Sequence, residues 1–393
     1  MDFKLPEEIR LIRRTIRRFV ENVVDPISAQ IEEEDAIPEE VVEEMRKIGL
    51  FGMSIPEEYG GMGLSTLGEC VVYEEISRTN AAVRLRFSTN NGIGSLGILY
   101  DGTEEQKARW LPPIASGQIT AAFALTEPEA GSDAAAIRTV AVRKGKDFVL
   151  TGRKMFITNG GIADLVTVMA VTDPEKRARG GITAFLVEKE TQGFSVGRLE
   201  KKMGLRGVTT AELVFDGCPT SVNQIIGGEG MLGQGFKTAM KVLDKGRLTL
   251  AASAVGTARK ALELSLGHAK RRVQFGRPIG EFQLIQGMLA DMAVGIFAGQ
   301  TMVYRTAWQK DEGLPIRKEA AMCKLFCSEV LAKVVDMALQ IHGGMGYMKD
   351  CPIERIYRDA RVTRIYEGTS EIQKLVIARE LLKAQETNLF CEM

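Results

Sequence analysis

The stretch IIGGEGMLGQGF (residues 225–236) lies where short apolar runs give way to long helical patterns. Three of its glycines, Gly228, Gly230 and Gly233, have the G-x-G-x-x-G spacing of a dinucleotide-binding turn. That turn requires a full strand before it and an acidic residue about twenty positions later, at the end of the next strand. Only QII precedes these glycines, and the sequence stays helical beyond Arg247. The stretch therefore predicts a flexible β-to-α linker with glycine hinges rather than a Rossmann unit.

The segments on either side of this linker predict three domains. TEEQKARWLPPIASG (residues 103–117) begins with Thr103 and Gln106 at capping-box spacing, which indicates a helix. The β-rich runs that follow are separated by Gly, Asp and Pro turns, and the last helical patterns contain many small residues, as closely packed helices do. We expect an α+β chain without βαβ units: an N-terminal all-α domain (1–120), a middle antiparallel β barrel or sandwich (121–233) and a C-terminal four-helix bundle (234–393).

The composition argues against several classes of protein. The 393 residues contain 51 Lys plus Arg and 51 Asp plus Glu, so the formal charge is zero and binding to nucleic acid is not expected. No apolar run is as long as a membrane-spanning helix. The first residues carry both charges and no apolar signal core, which predicts a mature cytoplasmic chain that does not enter a membrane.

The six cysteines are predicted to be reduced, buried thiols. Only Cys323 and Cys327 are one helical turn apart, and the two histidines, His268 and His342, are far apart in the chain. A Cys/His metal site is therefore not expected. The other four cysteines are scattered: Cys70, Cys218, Cys351 and Cys391.

Two motifs in the β region suit a planar ligand. ALTEPEAGSDAAA (residues 124–136) places hydroxyls and loop N–H groups directly after a strand, where they suit a polar ring edge. KMFITNGG (residues 154–161) puts Phe156 and Thr158 on one face of a strand, so that a ring stacks on the first and is hydrogen-bonded by the second. Taken singly, an ordinary Gly-Ser turn and a half-buried strand are the plainer explanations.

Two motifs in the C-terminal region suit phosphate groups. RRVQFGRPIGEFQLIQ (residues 271–286) is a basic cluster that suits a pyrophosphate, although a solvated basic helix end explains it equally well. Residues 340–373 contain a glycine-rich turn and then YEGTSEIQ. Within the latter, Ser370 and Gln373 have capping-box spacing, which predicts a helix whose free N–H groups bind phosphate.

Together with PEEYGGMGL near the N-terminus, these four stretches resemble the acyl-CoA dehydrogenase family, and the resemblance covers essentially the whole chain. It implies an oxidoreductase that converts an acyl-CoA of short, medium or branched chain to the 2-enoyl-CoA. It also implies FAD bound in extended form between the subunits of a homotetramer, a dimer of dimers, with electron-transferring flavoprotein as partner. The same fold acting as an enoyl-CoA reductase stays open.

The resemblance also implies roles for particular residues. Glu367 would take the α-proton of the thioester while flavin N5 accepts the hydride, and a flavin hydroxyl and the Glu367 backbone N–H would hold the thioester oxygen. A plainer role for Glu367 is an acid favoured by the dipole of the following helix. Thr126 and Thr158 would hydrogen-bond the flavin ring, Phe156 would shield it, and the FAD is also expected to contact Phe123, Leu125, Gly131, Ser132 and Ile157. The pyrophosphate and adenosine end is expected to contact Arg272, Phe275, Gln283, Thr369 and Glu371, with Gln340, Gly343 and Gly344 from a neighbouring chain, and the acyl-CoA to contact Ser132, Asp244, Arg247 and Gly368.

Three positions depart from the family pattern. Phe156 stands where relatives usually carry tryptophan, which keeps an aromatic shield but removes an indole N–H. Val208 stands where relatives usually carry serine, which puts one polar contact to the CoA portion in doubt. Gly246 occupies the position from which some branched-chain and long-chain members supply the base, and a glycine cannot act as a base.

The segment AAVRLRFSTNN (residues 81–91) raises the question of an anionic substrate. In the family this helix lines the far end of the acyl pocket, and Arg84 falls where glutaryl-CoA dehydrogenases carry an arginine for the distal carboxylate of the substrate. A buried guanidinium without a partner is costly, so an Arg84 that faces the pocket would imply an anionic acyl tail. The alternative is that Arg84 and Arg86 reach solvent or pair with Glu74 or Glu75.

Overall fold

The computed structural model describes residues 4–383, and its first part is helical as predicted. The predicted capping box starts the seventh helix: the Thr103 hydroxyl accepts a hydrogen bond from the Gln106 N–H (3.2 Å), and Gln106 Oε1 accepts one from the Thr103 N–H (3.1 Å). The Gln106 amide also donates to Ile225 O (2.7 Å), which ties this helix to the domain linker. The helices of this part are α1 (Glu7–Phe19), α2 (Ser28–Glu34), α3 (Glu39–Lys47), α4 (Thr66–Ile76), α5 (Ala81–Asn91), α6 (Leu96–Asp101) and α7 (Glu104–Ala115).

The middle part forms a seven-stranded sheet, and its strand β4 is buried on both faces along its whole length. Leu165 and Met169 of β4 pack with side chains of the N-terminal helices, whereas Val166 and Val168 pack with other strands. A strand that is covered on both faces has a continuous apolar sequence, which explains LVTVMAV. The strands are β1 (Ala121–Ala124), β2 (Val140–Lys144), β3 (Asp147–Thr158), β4 (Leu165–Val171), β5 (Ile182–Glu188), β6 (Phe194–Leu199) and β7 (Thr210–Ser221).

The sheet is mixed rather than wholly antiparallel. β1 runs parallel to β4, with Ala121 opposite Leu165, and β2 meets β4 in parallel at Val140 and Val171. The other pairings, β2 with β3, β3 with β7, β6 with β7 and β4 with β5, are antiparallel. The predicted β domain is confirmed, and the parallel pairs are an addition. They join strands that do not follow one another in the chain, so no hairpin turn in the sequence announces them.

The linker after β7 is packed against the sheet. Ile226 is buried, and its N–H donates to Ala184 O in β5 (3.0 Å). A side chain at Gly233 would place its Cβ 2.1 Å from Gly180 O, and one at Gly235 would place it 2.4 Å from the Ala184 nitrogen. The predicted change from strands to helices at this point is confirmed. Gly233 and Gly235 serve close packing against β5 and the segment before it, whereas a Cβ at Gly230 would meet no atom within 4 Å, and the predicted hinge role of the glycines stays a prediction.

The C-terminal part is a bundle of long helices arranged around α8. This helix has 37 residues and crosses α4 so closely that a Cβ at Gly256 would lie 1.9 Å from Glu74 O. The close crossing explains why the sequence of α8 contains many small residues. The helices are α8 (Gly235–Arg271), α9 (Gln283–Asp311), α10 (Arg317–His342), the short α11 (Pro352–Ala360) and α12 (Ser370–Lys383), and a hairpin of β8 (Val273–Gln274) and β9 (Arg277–Pro278) joins α8 to α9.

The cysteines between residues 4 and 383 are free thiols. Cys70, Cys218, Cys323 and Cys327 are buried free thiols, and Cys351 is a half-buried one. Burial raises the pKa of Cys218 to about 11 and that of Cys323 to about 12, so both thiols stay protonated at neutral pH. The sixth cysteine, Cys391, lies outside the described residues.

None of the helices between residues 4 and 383 has both the length and the apolar character needed to cross a bilayer.

A buried ion pair joins the two helical regions. Lys245 Nζ on α8 donates to Glu69 Oε1 on α4 at 2.7 Å, and both side chains are largely withdrawn from solvent. Burial raises the pKa of Glu69, and the charge of Lys245 opposes that shift. Glu69 Oε2 has no hydrogen-bond partner within residues 4–383, so the ionised carboxylate relies on Lys245.

Lys245→Met should lower the free energy of unfolding by about 3–5 kcal/mol, because it leaves the Glu69 carboxylate buried without its cation. The matched control is Lys241→Met on the same helix: Lys241 binds Asp101 with a side chain that is 53% exposed, so its loss should cost about 1 kcal/mol or less. Urea denaturation followed by circular dichroism measures both changes. Adding Glu69→Leu to Lys245→Met should recover most of the loss, and equal stability of the two single variants would contradict the analysis.

Candidate active site

A cavity of about 500 Å³ lies between the sheet, α5, α8 and α12. It brings together residues that are far apart in the sequence, from Arg84 on α5 to Glu367 just before α12. Its wall contains the residues predicted for the flavin ring and for the acyl-CoA: Arg84, Phe123, Leu125, Thr126, Gly131, Ser132, Phe156, Ile157, Thr158, Asp244, Arg247, Glu367 and Gly368. This cavity is therefore the candidate active site.

The residues predicted for the other end of FAD do not reach this cavity within one chain, as far as residues 4–383 show. Phe275 is 94% exposed at the tip of the β8–β9 hairpin, with φ at +52°. Thr369 and Glu371 lie at the start of α12, next to Gly368 but outside the cavity wall. The others lie near the ends of α8, α9 and α10: Arg272, Gln283, Gln340, Gly343 and Gly344. Their binding role stays a prediction.

The loop after β1 is fastened to β3 by a buried ion pair. Lys154 Nζ donates to Glu127 Oε1 (2.7 Å) and to Leu125 O (3.1 Å), and the Met155 N–H donates to Thr126 O (2.8 Å). Lys154 is fully buried, and burial lowers its pKa to about 8 although Glu127 opposes the shift. The contacts fix the backbone on both sides of Thr126 at the cavity wall. Sequence reasoning missed Lys154 because a lysine in a strand ordinarily faces solvent.

Strand β3 presents an aromatic ring to the cavity where its pairing with β7 is interrupted. The register shifts between Lys154 and Ile157, and Phe156 lies in the left-handed region with φ at +59°. Its side chain is 57% exposed, and Thr158 follows it on the same wall. A left-handed aromatic residue is strained, and irregularities of this kind re-aim side chains next to active sites. An exposed ring beside hydroxyl groups fits a planar ligand with a polar edge, such as a flavin ring.

Glu367 places its carboxylate against α8. Its Oε2 is buried and has no hydrogen-bond partner in the part of the chain that the structure describes. Burial raises the pKa of Glu367, while the charges of Arg84, Arg247 and Lys324 oppose the shift. A Cβ at Gly246 would lie 2.5 Å from Glu367 Oε2, so a glycine at this position leaves room for the carboxylate. The result is a buried carboxyl group with a raised pKa in a cavity wall, as expected of an acid–base catalyst.

The turn before α12 differs from the predicted capping box. The Thr369 hydroxyl accepts a hydrogen bond from the N–H three residues later (3.3 Å), whereas the Ser370 hydroxyl donates to Glu329 Oε1 on α10 (2.6 Å). The Gln373 amide donates to the carbonyls of the two residues before Thr369. The prediction of a Ser370–Gln373 capping box is therefore wrong, because both side chains are engaged by groups that local spacing does not reveal.

Arg84 lies in the cavity wall and not on the surface. Its residue is 8% exposed, and its Nη2 donates to Tyr366 OH (2.9 Å). Among residues 4–383, no Asp or Glu oxygen lies within 4.0 Å of its guanidinium nitrogens. The cavity therefore contains a buried cation that has a neutral partner but no counter-charge in contact.

The alternative is wrong for Arg84, which is buried, and wrong in the pairing of Arg84 or Arg86 with Glu74 or Glu75. The Arg86 guanidinium donates a hydrogen bond from Nη1 to Thr120 Oγ1 (3.1 Å), and its Cζ lies 5.3 Å from the centroid of the Phe51 ring. The carboxylates of Glu74 and Glu75 are bound by other arginines: Arg13, Arg17, Arg78 and Arg259. Three of these four arginines come from segments distant in the sequence, and Arg78 lies after the end of α4, so the spacing within α4 and α5 did not reveal the ion pairs.

Helix α8 also supplies an arginine with free hydrogen-bonding capacity. Asp244 Oδ1 accepts from Arg247 Nη1 (2.7 Å), and its Oδ2 accepts from Arg317 Nε (3.0 Å). Arg247 is 6% exposed, and burial lowers the pKa of its guanidinium. Its Nε is buried and has no partner within the described residues. An unpartnered N–H at a cavity wall is available to a ligand.

Comparison with family models covers nearly the whole chain. The N-terminal, middle and C-terminal domains of acyl-CoA dehydrogenase match residues 6–118, 122–218 and 233–382. The chain belongs to the acyl-CoA dehydrogenase family. It is an oxidoreductase that acts on acyl-CoA, and this family is FAD-dependent.

Three relatives show how similar the chain is to known members. The acyl-CoA dehydrogenase of Bacillus subtilis is 46% identical, over 96% of this chain and 98% of the relative. The acryloyl-CoA reductase (NADH) of Anaerotignum propionicum is 44% identical, over 98% and 96%. Among solved structures, butyryl-CoA dehydrogenase of Megasphaera elsdenii is 38% identical and has a TM-score of 0.93, over 97% of this chain and 100% of that one. The similarity therefore extends to the complete fold.

Gly246→Ala should slow the reduction of bound FAD by an acyl-CoA about 10²-fold, because the added Cβ displaces the Glu367 carboxylate. The control is Gly230→Ala in the domain linker, where the added Cβ meets no atom within 4 Å, and this variant should react like the wild type. Anaerobic stopped-flow recording of the flavin absorbance gives both rates. If Gly246→Ala reacts as fast as the control, the carboxylate has no need of the space that this glycine leaves.

Proposed function

We propose that this protein catalyses the FAD-dependent α,β-dehydrogenation of an acyl-CoA thioester to the 2-enoyl-CoA, with Glu367 as the base. The observation that carries the proposal is the buried, unpartnered Oε2 of Glu367 in a cavity that also exposes the ring of Phe156, within residues 4–383. A carboxylate without partners is free to accept the α-proton, and an exposed ring offers a stacking face to a planar cofactor. A volume of about 500 Å³ is in the range of ligand-binding pockets.

Proton removal from the α-carbon depends on the surroundings of Glu367. The α-proton of a thioester is weakly acidic, so the base needs a raised pKa, and burial raises the pKa of Glu367. When an acyl chain fills the cavity and excludes water, the carboxylate loses further solvation and becomes a stronger base. The Glu367 N–H makes no hydrogen bond within residues 4–383, and we propose that it donates to the thioester oxygen, where negative charge develops.

The cavity wall fits the ring of FAD. The hydroxyls of Thr126 and Thr158 suit its polar edge, the ring of Phe156 suits its face, and a Cβ at Gly131 would meet no atom within 4 Å, so the loop leaves open space there. In the proposal these residues hold the ring, and Phe123, Leu125, Ser132 and Ile157 complete the wall. When bound, FAD supplies the electron sink for the hydrogen that leaves the β-carbon with its electron pair.

The substrate is proposed to be an acyl-CoA of short, medium or branched chain. The free Nε of Arg247 and the Ser132 hydroxyl are proposed to bind polar groups of the CoA portion, with Asp244 holding Arg247 in place and Gly368 contacting the thioester end. The similarity to a butyryl-CoA dehydrogenase supports a short chain. The acyl end would lie deeper in the cavity, against Tyr73 and Leu85.

A homotetramer would complete the FAD site. Phe275, Leu284, Phe297 and Tyr347 are between 72% and 94% exposed, and large exposed apolar side chains are candidates for burial in an interface. They lie in the same parts of the C-terminal region as the residues predicted for the pyrophosphate and adenosine, which in the proposal are Arg272, Phe275, Gln283, Thr369 and Glu371 of one chain with Gln340, Gly343 and Gly344 of a second copy. A subunit boundary at this surface would bring the two sets together.

Electron-transferring flavoprotein is proposed as the electron partner. The described residues contain no βαβ unit that would bind a nicotinamide dinucleotide. The reverse reaction, enoyl-CoA reduction, would use the same cavity residues, and a reductase is among the relatives. The reduction potential of the bound FAD and the identity of the electron donor decide between the two directions.

Glu367→Gln should keep FAD and bind acyl-CoA, because the amide has nearly the same shape, but its FAD should be reduced about 10²- to 10⁴-fold more slowly. The rate is measured by anaerobic stopped-flow with butyryl-CoA, and the Kd by spectral titration. Glu105→Gln, an exposed position on α7, is the control and should behave like the wild type. Normal reduction of the FAD in Glu367→Gln would remove Glu367 from the mechanism.

A dicarboxylic acyl-CoA, such as glutaryl-CoA, is a second candidate substrate. The observation in its favour is Arg84, whose guanidinium lies in the cavity wall with Tyr366 OH as its hydrogen-bond partner and no carboxylate within 4.0 Å among residues 4–383. A guanidinium binds a carboxylate through two parallel hydrogen bonds, and the exchange of a neutral partner for a charged one strengthens the contact. A carboxylate at the far end of an acyl chain would satisfy Arg84.

This candidate predicts that glutaryl-CoA reduces the FAD of the wild type and that Arg84→Ala lowers kcat/KM for glutaryl-CoA by about tenfold or more, since a charge-assisted hydrogen bond contributes about 1.5–3 kcal/mol. The values for butyryl-CoA and isovaleryl-CoA should change much less. Arg86→Ala, on the same helix but bound to Thr120, is the matched control. Failure of glutaryl-CoA to reduce the FAD of the wild type would contradict this candidate. An unchanged preference of Arg84→Ala between glutaryl-CoA and butyryl-CoA would contradict it as well.

A further inference from the structure

The loop that carries Glu367 contains two consecutive left-handed residues. Glu367 has φ at +54° and Gly368 has φ at +92°. For a glutamate this conformation costs about 1–3 kcal/mol, and it persists only where the surrounding structure over-determines it. The carbonyls of both residues precede α12, so they need hydrogen-bond donors from outside the helical ladder. The residues that supply these donors therefore determine where the Glu367 carboxylate lies.

Two buried side chains supply the donors. Lys324 Nζ on α10 donates to Gly368 O at 2.7 Å. Gln373 Nε2 on α12 donates to Glu367 O and to Gly368 O, each at 3.0 Å. Both residues are 0% exposed. Within residues 4–383 no carboxylate oxygen lies within 4.0 Å of Lys324 Nζ, and a buried ammonium without such a partner costs stability. The cost points to a role in function.

We infer that Lys324 and Gln373 are positioning residues for Glu367: together they hold the Glu367–Gly368 turn, and the turn keeps the carboxylate beside Gly246 and in the cavity wall. Both act through the backbone of the loop. The inference rests on the proposed role of Glu367 as the base, because a displacement of about 1 Å at a catalytic group costs about 10²-fold in rate.

Lys324 also contributes a positive charge near the carboxylate, which Gln373 does not. This charge is one of three that oppose the effect of burial on the pKa of Glu367. Its removal should raise that pKa further. The titratable groups that face Glu367 are Arg84 on α5, Arg247 on α8, Lys324 on α10, Tyr73 on α4 and the adjacent Tyr366. Besides Glu367, the groups that face Lys324 are Arg247, Glu329 and Glu371.

The test compares Lys324→Met and Gln373→Met, which remove the hydrogen bonds at similar side-chain length. Lys324→Arg is the conservative variant, and Lys333→Met, exposed on the same helix, is the control. Anaerobic stopped-flow gives the rate of FAD reduction by butyryl-CoA, and spectral titration gives its Kd. Both Met variants should be reduced about 10- to 100-fold more slowly with little change in Kd. Lys324→Arg should recover part of the rate, and Lys333→Met should equal the wild type.

The pH dependence separates the charge of Lys324 from its hydrogen bond. The base must be ionised, so the rate of reduction falls as pH falls through the pKa of Glu367 in the complex. Lys324→Met should move this fall to higher pH. Gln373→Met should slow the reaction without moving it. A merely structural role of Lys324 would lower the yield of folded, FAD-loaded protein and leave the pH profile in place.

Crystal structures of the variants give a readout that does not depend on turnover. In Lys324→Met and Gln373→Met, the Glu367 carboxylate should leave its place beside Gly246. The inference is overturned if folded, FAD-loaded Lys324→Met has the same turn and the same rates as Lys333→Met. If no acyl-CoA reduces the wild-type FAD and yet the turn changes in these variants, the proposed function fails and the positioning of Glu367 by Lys324 stands.

Discussion

The active-site cavity depends on one close contact, between the Glu367 carboxylate and the backbone of α8 at Gly246, where the carboxylate oxygen occupies space that a Cβ would need. Because that oxygen has no hydrogen-bond partner among residues 4–383, its place is fixed by packing and by the backbone of its loop. Three consecutive residues of α8 support the arrangement. Lys245 forms an ion pair with Glu69 on α4, Gly246 leaves space for the Glu367 carboxylate, and Arg247 lies in the cavity wall. The bundle therefore sets the geometry of a group that lies on a loop.

The walls of the cavity that carry Phe156 and Glu367 share two structural features, a left-handed residue and a buried lysine near it. Phe156 and Glu367 both have left-handed backbones, with φ at +59° and +54°. Near each of them a buried lysine donates to a main-chain carbonyl: Lys154 to Leu125 O and Lys324 to Gly368 O. Burial lowers the pKa of both lysines to about 8. The two lysines differ in their counter-charge. Lys154 contacts Glu127, whereas Lys324 contacts no carboxylate in the described chain. The positive charge of Lys324 is therefore not neutralised by a direct partner and acts on the cavity.

The sequence predicted what depends on local spacing or on long motifs. Thr103 and Gln106 form their capping box, and the other contacts of the Gln106 side chain, such as the one to Ile225 O, are made without breaking it. Ser370 and Gln373, at the same spacing, are instead bound to Glu329 and to the carbonyls before α12. The parallel pairing of β1 with β4 was missed since such contacts leave no local pattern. The cavity wall was predicted through motifs, but Lys154 and Lys324 were not, because their burial is decided by elements far away in the sequence.

The three cations around Glu367 are not equivalent, and this links the choice of substrate to the strength of the base. Arg247 is paired with Asp244, so part of its field is neutralised, whereas Arg84 has only the neutral Tyr366 as partner within residues 4–383. If the substrate carried a carboxylate to Arg84, that charge would offset one of the fields that oppose the raised pKa of Glu367. The base would then be strongest when an anionic acyl tail is in place. With a neutral acyl chain, the field of Arg84 would remain, and the exclusion of water by the chain would be the main factor that raises the pKa of Glu367.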